Sequence, residues 1–288
     1  MRLLGLTTVT MLAFAANSVL NRLALVNFGL DAMLFAAVRL GSGALVLSLI
    51  LVLQRRGFVI GGRRRVWGVL ALLLYVFGFS YAYQKLDAGI GALILFAVVQ
   101  ITMFAAAVCS KEQMPLLRWL GAGLAFVGLI WLLWPSAASE PGAAQGGTMS
   151  LSHAVMMGLA GFGWGIYSLA GRYEVNATQA TAMNFILAAP FAGVALLLGG
   201  VDLGMVSAVG LVLAVISGAV TSGLGYALWY SVLPQLGASR GAVAQLTVPV
   251  IAMLAGLILL GEAITLQSAF ATALVLAGVA LSLSRASA

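Results

Sequence analysis

The chain has 288 residues, of which 63% are hydrophobic and only 7% are charged, whereas a soluble domain carries about 25% charged residues. That deficit and the long apolar runs exclude an ordinary soluble domain and indicate a helical protein that crosses a membrane many times. The single Cys109 excludes an intramolecular disulfide, and the net charge of +7 does not indicate nucleic acid, because the arginines cluster in one loop.

Ten segments are long and apolar enough to be spanning helices, which need about 20 mainly apolar residues. The first resembles a signal peptide, since Arg2 precedes an apolar run, but it stays apolar to Leu25 and we interpret it as a retained helix. The predicted spans are 3–25, 31–53, 66–84, 89–109, 115–134, 151–171, 178–199, 208–233, 239–260 and 266–284. The predicted class is therefore an all-α polytopic membrane protein.

Loop charges predict the orientation of these spans. The loop from Gln54 to Arg65 contains five arginines, and placing it in the cytoplasm puts both termini inside. Eleven Lys and Arg residues then lie on the cytoplasmic side, and only Arg22 and Lys85 lie outside. That asymmetry follows the positive-inside rule. The long loop 136–150 lacks Lys and Arg, falls outside, and is interpreted as a flexible linker.

The two halves of the chain repeat with an offset of 150 residues. The offset superimposes Arg22 on Arg172 and Glu112 on Glu262, and it also relates Ser18 to Ser168, Leu86 to Leu236 and Gly128 to Gly278. Each half has five predicted spans, an odd number, so the second half enters the membrane from the opposite side. The sequence thus predicts repeats at 1–135 and 151–288, related as an inverted repeat, which is typical of alternating-access transporters.

Several short motifs give the chain a resemblance to a known family. They are Phe162-Gly163-Trp164-Gly165, Tyr226-Ala227-Leu228-Trp229-Tyr230, Arg39, Pro249, and the two segment ends Lys111-Glu112 and Gly261-Glu262. Over nearly its whole length the chain resembles the drug/metabolite transporter superfamily, and specifically a pair of EamA domains. Within that family it is most similar to the YddG-type amino-acid exporters of bacterial inner membranes.

The resemblance implies ten transmembrane helices arranged as a 5+5 inverted repeat around a central cavity. It also implies multi-pass insertion in the bacterial inner membrane and export of amino acids by alternating access. The first half departs from the pattern of the second, because Ala15-Ala16-Asn17 stands where the second half has Gly165-Ile166-Tyr167. Likewise Val99-Gln100 replaces Pro249-Val250, so we expect the halves to contribute unequally to the site.

A carrier of amino acids needs a few polar groups for the ammonium and carboxylate and a roomy apolar or aromatic wall for the side chain. The predicted spans offer both. The candidate substrate-binding residues are Asn17, Ser18, Asn21, Tyr75, Phe79, Tyr83, Gln100, Trp164, Tyr167, Ser168, Tyr226, Trp229 and Gln245. The alternatives are interface belts or packing for the rings and bonds between helices for the amides.

Arg39 lies about eight residues inside its predicted span, where a charge costs several kcal/mol unless it is paired or hydrated. Two roles are open for it. It could bind a substrate carboxylate, or it could hold helices together through backbone carbonyls or reach the surface. We favour the structural role, because Asn184, its counterpart at an offset of 145 residues, is uncharged.

Three further residues are candidates for moving parts. Pro249 lies in the middle of an apolar run and is a candidate helix break beside the cavity, with a packing kink as the alternative. A turn at Pro234–Gly237 is predicted to join the eighth and ninth spans. Glu112 and Glu262 end the fourth and ninth spans on opposite sides, and we interpret them as gate or helix-end carboxylates that bond backbone or basic groups.

The predicted function is facilitated export of aromatic and other neutral amino acids. No Asp or Glu lies in the middle of a predicted span, as proton coupling often requires. The alternative is a carrier of another metabolite or a drug, with or without proton coupling, and a non-transporting scaffold also stays open. One histidine and no paired carboxylates argue against an enzyme. No cofactor, metal or nucleic acid is expected; membrane lipid and the amino acids are the expected partners, and a monomer is favoured.

Overall fold

The computed structural model describes residues 2–109, 116–133, 150–171, 174–201, 206–245 and 247–283. Throughout these residues the chain forms helices joined by short connections, and no strand occurs among them. The all-α prediction is confirmed for this part of the chain. Glu112 and most of the predicted linker 136–150 lie outside the described residues.

Within the described ranges, five α-helices belong to the first half and six to the second. In the first half they are α1 Arg2–Arg22, α2 Ala32–Leu53, α3 Arg64–Ala82, α4 Ala88–Cys109 and α5 Leu116–Leu133. In the second half they are α6 Leu151–Gly171, α7 Ala177–Leu198, α8 Ala208–Ile216, α9 Gly225–Gln245, α10 Thr247–Leu260 and α11 Leu266–Leu283. Two π-helical segments, Leu23–Asn27 and Ser217–Leu224, continue α1 and join α8 to α9.

Seven helices among the described residues are long and apolar enough to cross a membrane. Three further apolar helices, within α5, α10 and α11, are shorter. A multi-pass membrane protein is therefore confirmed. The exact number of ten spans, their 5+5 arrangement and the side on which the termini lie stay predictions.

The structure around Pro234 differs from the turn predicted there. Residues 234–237 are helical, and Pro234 lies inside α9, so the predicted turn there is wrong. Neighbouring helices can satisfy the group that a proline frees inside a membrane helix, which is why the turn signal was misleading. Pro249 lies in α10, whose described bounds are Thr247–Leu260. The helix break expected at Pro249 stays a prediction.

Helices of the second half pack against helices of the first. Helix α6 lies against α3 and α4 of the first half, and α7 lies against α2, while α5 and α11 pair with each other away from the centre. Gly161 and Gly165 allow the approach of α6 to α4, because a Cβ at these positions would lie 2.6 Å from the Leu95 carbonyl oxygen and 2.7 Å from Thr102 Cγ2. Small residues four apart commonly allow such close packing of membrane helices.

We expect Gly161→Ala to destabilise the protein by about 1–3 kcal/mol, because the added methyl meets a backbone oxygen that cannot move independently. Gly158→Ala is the matched control. It lies on the same helix, and its Cβ would stay 3.8 Å from the nearest atom, Val98 Cγ2. Thermal unfolding of the purified proteins in detergent measures both. Equal unfolding temperatures for the two variants would contradict the close packing of α6 on α4.

Candidate functional site

A narrow cavity lies between the two halves at the centre of the helix bundle. It is lined by residues of α1, α3, α4, α6 and α9, namely Phe14, Ser18, Tyr75, Phe79, Ala92, Leu95, Phe96, Trp164 and Tyr226. In this conformation its free space is about that of one water molecule. An amino acid enters such a space only after the helices around it have moved apart.

The wall of the cavity is a continuous cluster of aromatic rings. Trp164 is its centre, with ring centroids 4.6 Å from Tyr226, 5.0 Å from Tyr75 and 5.2 Å from Phe14. Phe79 extends the cluster along α3, 5.2 Å from Tyr75. Ring faces attract ammonium groups and provide apolar contact, so this wall suits a small organic molecule that carries both kinds of group.

Five of the predicted binding residues line this cavity, and the others do not. Ser18, Tyr75, Phe79, Trp164 and Tyr226 are the lining residues that the sequence picked out. The predicted residues that are not part of the lining are Asn17, Asn21, Tyr83, Gln100, Tyr167, Ser168, Trp229 and Gln245.

Asn17 is the centre of a hydrogen-bond network that ties α1 to the π-helical segment Ser217–Leu224. Its Oδ1 accepts hydrogen bonds from the hydroxyls of Ser217, Thr221 and Ser222, and its Nδ2 donates to the Thr221 carbonyl oxygen at 3.2 Å. The i→i+5 spacing of a π-helix brings these three hydroxyls together, and such segments are frequent at functional sites. Asn17 therefore holds two helices together directly behind the lining.

The remaining predicted residues form a second layer. Gln245 Oε1 accepts a hydrogen bond from Trp164 Nε1 at 3.3 Å and fixes the indole ring. Asn21 Nδ2 donates to the Ser80 hydroxyl at 3.1 Å, and the Tyr83 hydroxyl donates to the Ala88 carbonyl oxygen at 3.1 Å. Tyr167 and Trp229 are fully buried and pack on cavity rings, and Ser168 is buried beside them, whereas Gln100 is partly exposed.

Two ion-pair clusters join the halves of the chain at opposite ends of α3. We name the first the Glu262 latch. Arg22 Nε pairs with Glu262 Oε1 at 3.2 Å, and Arg22 Nη2 pairs with Asp87 Oδ1 at 3.4 Å. Glu262 Oε2 accepts from the backbone N–H of Ala88, the first residue of α4, at 2.8 Å. A carboxylate at a helix N-terminus is favourable, so Glu262 stabilises the start of α4.

The Glu262 latch also closes the end of α3. Arg22 Nη1 donates to the carbonyl oxygens of Tyr83 and Gln84, each at 3.1 Å. A Cβ on Gly256 would lie against the Glu262 carboxylate, so a side chain there would force the carboxylate out of this position. One arginine thus connects the ends of α1 and α3 with the start of α4 and with the connection after α10.

The second cluster, which we name the Glu174 latch, lies at the start of α3. Arg65 Nη2 pairs with Glu174 Oε1 at 3.0 Å, and Arg65 Nη1 donates to the Ala180 carbonyl oxygen and to Asn184 Oδ1 at 2.9 and 3.1 Å. Arg65 belongs to the first half and its three partners to the second. Charged contacts between the two halves therefore lie at both ends of α3.

Lowering the pH should tighten the Glu262 latch rather than open it. Loss of hydration raises the pKa of Asp87 and Glu262 and outweighs the attraction of Arg22. A carboxyl with a raised pKa binds its proton more strongly in the closed latch than in an open, hydrated one, so a pH falling through that raised pKa favours the closed latch.

The measurement is thiol labelling of an Ala92→Cys variant, in a background where the exposed Cys109 is replaced by Ser. We expect the labelling rate from the Glu262 end, divided by the rate of a free thiol, to fall as the pH is lowered from neutral towards the ordinary range of carboxyl groups, about 4. An Asp87→Asn/Glu262→Gln variant should lose this dependence. A normalised rate that rises with acidity would contradict the balance of charges described for the latch.

Several residues of the site carry no sequence signal of their own. Leu95 and Phe96 look like lipid-facing residues of an apolar helix. Phe14 could have been found, because it precedes Ser18 by four residues and so shares its helix face. The Arg65–Glu174 pair joins the start of α3 to the connection after α6, far away in sequence, and only the folded chain shows it.

Two similar halves around a central cavity, with ion pairs between them at both ends of α3, are typical of membrane transporters. The chain belongs to the EamA-like transporter family, whose model matches residues 2–134 and again residues 151–284. The expected resemblance to a pair of EamA domains is thereby confirmed, and the chain is a multi-pass membrane protein of that family.

Curated relatives support the family without naming a substrate. An uncharacterized protein of Pseudomonas aeruginosa is 45% identical over 97% of this chain and 94% of its own length. Two others are described as uncharacterized transporters. One, from Archaeoglobus fulgidus, is 27% identical over 77% of this chain and 80% of its own; the other, YoaV of Bacillus subtilis, is 24% identical over 86% and 85%.

A solved structure shows the same fold. A crystal structure of a protein covers 96% of this chain and 94% of its own chain with a TM-score of 0.68. Its sequence identity is 16%, so the likeness concerns the fold alone. The narrower resemblance to the YddG-type exporters stays a prediction.

Proposed function

We propose that the protein exports neutral amino acids, aromatic ones included, across the bacterial inner membrane by alternating access. The observation that carries this proposal is the aromatic cavity around Trp164, which lies between two similar halves that ion pairs join at both ends of α3. A wall of six aromatic rings with few polar groups suits a partly apolar zwitterion better than a highly charged molecule. The proposed architecture is ten spans in a 5+5 inverted repeat.

The two latches support alternating access, because each joins one half to the other at one end of the cavity. The positive-inside asymmetry supports a cytoplasmic position for the arginine-rich loop 54–65 and for both termini. On that topology the Glu262 latch is periplasmic and the Glu174 latch is cytoplasmic. Opening one latch while the other stays closed exposes the cavity to one side only, as inverted-repeat carriers require.

Uptake by the purified protein in liposomes tests the proposed function. Labelled phenylalanine is the substrate, and unlabelled methionine, threonine, glutamate and lysine are competitors. We expect saturable uptake that the neutral amino acids reduce and that the charged ones leave largely unchanged. A protonophore should have no effect if the export is facilitated. Folded protein that takes up nothing beyond empty liposomes would contradict the assignment and favour another metabolite.

A further inference from the structure

Arg39 is a buried positive charge without a counter-ion among the described residues. Its side chain is completely buried in α2, and an arginine remains protonated in a protein interior. The nearest acidic residue on the same helix is Asp31, about 12 Å away along the axis. Asp31 caps the start of α2 by accepting hydrogen bonds from the N–H groups of Met33 and Leu34. The charge of Arg39 is therefore left for another group to balance.

The contacts of Arg39 lead directly to the cavity. Nε donates to the Ser222 hydroxyl at 2.8 Å, and Nη2 donates to the hydroxyls of Tyr75 and Tyr226 at 3.0 and 2.5 Å. The guanidinium carbon lies 4.9 Å from the centre of the Phe79 ring. Tyr75, Phe79 and Tyr226 are all lining residues. The backbone carbonyls that a purely structural arginine would bond are not among these partners.

Hydrogen-bond donors are in excess around the cavity. In the described part of the chain, the buried side-chain atoms without a partner include four N–H donors and one acceptor, Asn21 Oδ1, together with the hydroxyls of Tyr167 and Ser168, which can do either. The four donors are Arg39 Nη1, Gln245 Nε2, Trp229 Nε1 and Gln100 Nε2. The side-chain oxygen of Gln245 faces the Trp164 indole N–H, which can only donate, so the amide nitrogen of Gln245 is the atom left without a partner. The Tyr75 hydroxyl accepts from both Arg39 and Tyr226 and leaves its own proton unused. A ligand that supplies acceptors and a negative charge would satisfy these groups together.

We propose that Arg39, with the hydroxyls of Tyr75 and Tyr226, binds the carboxylate of the substrate. The inference rests on the proposed function and specifies it, because it makes a free carboxylate the required feature of the molecules carried. The carboxylate enters between the two tyrosine hydroxyls, which are 2.9 Å apart in this closed conformation, and accepts from Nη1 of Arg39. The apolar part of the substrate then lies against Trp164. This replaces the structural role that the sequence favoured for Arg39.

The first test uses the wild-type protein and therefore does not depend on how a variant folds. Competition against labelled phenylalanine uptake is compared for phenylalanine and phenylalaninamide, which differ only in the carboxylate. Hydrogen bonds to charged groups are the strong ones, so we expect the amide to compete at least about tenfold more weakly. Equal competition by the two compounds would overturn the proposal.

The second test uses Arg39→Gln, Arg39→Lys and the pair Tyr75→Phe and Tyr226→Phe. Binding of phenylalanine should weaken by about tenfold or more in both Arg39 variants, because lysine cannot reproduce the fork of donors, and by less in the tyrosine variants. Binding of phenylalaninamide should stay unchanged in every variant. Loss of both ligands in equal measure would show that Arg39 only supports the fold.

Failure of the proposed function gives a different result from failure of this inference. If phenylalanine is not carried, phenylpyruvate and benzoate are tested as thermal stabilisers of the wild type and of Arg39→Gln. Stabilisation of the wild type alone would keep the carboxylate site and reject amino-acid export. If no carboxylate stabilises the wild type, the inference is overturned together with the proposed function.

Discussion

Replacing Trp164 by alanine is expected to abolish saturable transport or to lower it at least about tenfold. The indole packs against Phe14, Tyr75 and Tyr226 and donates to Gln245, so its loss removes the centre of the cavity wall. A cation on an aromatic face is worth about 2 kcal/mol when it is desolvated, which alone corresponds to more than a tenfold change in affinity. Uptake of labelled phenylalanine by reconstituted protein measures the effect.

Two controls separate a binding effect from a folding effect. Trp164→Phe keeps a ring in the wall but loses the donor to Gln245, so we expect intermediate uptake. Trp67→Ala removes the same side chain at a position 64% exposed near the start of α3, and it should leave uptake unchanged. Normal transport by folded Trp164→Ala protein would show that the aromatic cluster is a packed core rather than a substrate wall.

Replacing Arg22 by glutamine is expected to open the Glu262 end of the cavity. The variant leaves Asp87 and Glu262 facing each other without their shared cation and leaves the last carbonyls of α3 without a donor. Removing one partner of a fully buried pair costs about 3–5 kcal/mol, and partial exposure of this cluster reduces that to roughly 1–3 kcal/mol. We expect labelling of Ala92→Cys from that end to become about 10–100-fold faster.

Further substitutions in the Glu262 latch test whether repulsion between its carboxylates causes the faster labelling. Adding Glu262→Gln to Arg22→Gln removes the repulsion between the two carboxylates and should return the labelling rate most of the way to the wild-type value. Glu262→Gln alone should have a small effect, since it resembles the protonated residue that the closed latch favours. Arg65→Gln is the counterpart at the other end and should speed labelling only from there. Unchanged labelling in Arg22→Gln would exclude the latch as a gate.

The sequence predicts the class of fold because that class follows from simple physical patterns. Apolar runs of membrane length, a charged loop on one side and a constant offset between the halves are all local or periodic signals. The predicted turn at Pro234–Gly237 was wrong because it rested on local proline and glycine preferences alone. The tertiary environment of α9 overrides those preferences.

The candidate site was predictable where polar or aromatic residues contrast with an apolar background. Trp164, Tyr226 and Ser18 stood out in this way and line the cavity, whereas Leu95 and Phe96 have the composition of lipid-facing residues. Partner choice was not predictable. No local rule predicts that three hydroxyls of a π-helical segment donate to the side-chain oxygen of Asn17. Nor does one predict that two tyrosine hydroxyls accept hydrogen bonds from Arg39.

Accessibility of one cavity residue from both sides of the membrane tests the central claim most directly. An Ala92→Cys/Cys109→Ser protein is reconstituted in a single orientation and labelled with an impermeant thiol reagent supplied outside or inside the liposomes. We predict slow labelling from each side and protection from both by phenylalanine, because one cavity between the two halves opens alternately and holds the substrate. Labelling from one side only, or labelling that phenylalanine leaves unchanged while it is being transported, would contradict the account.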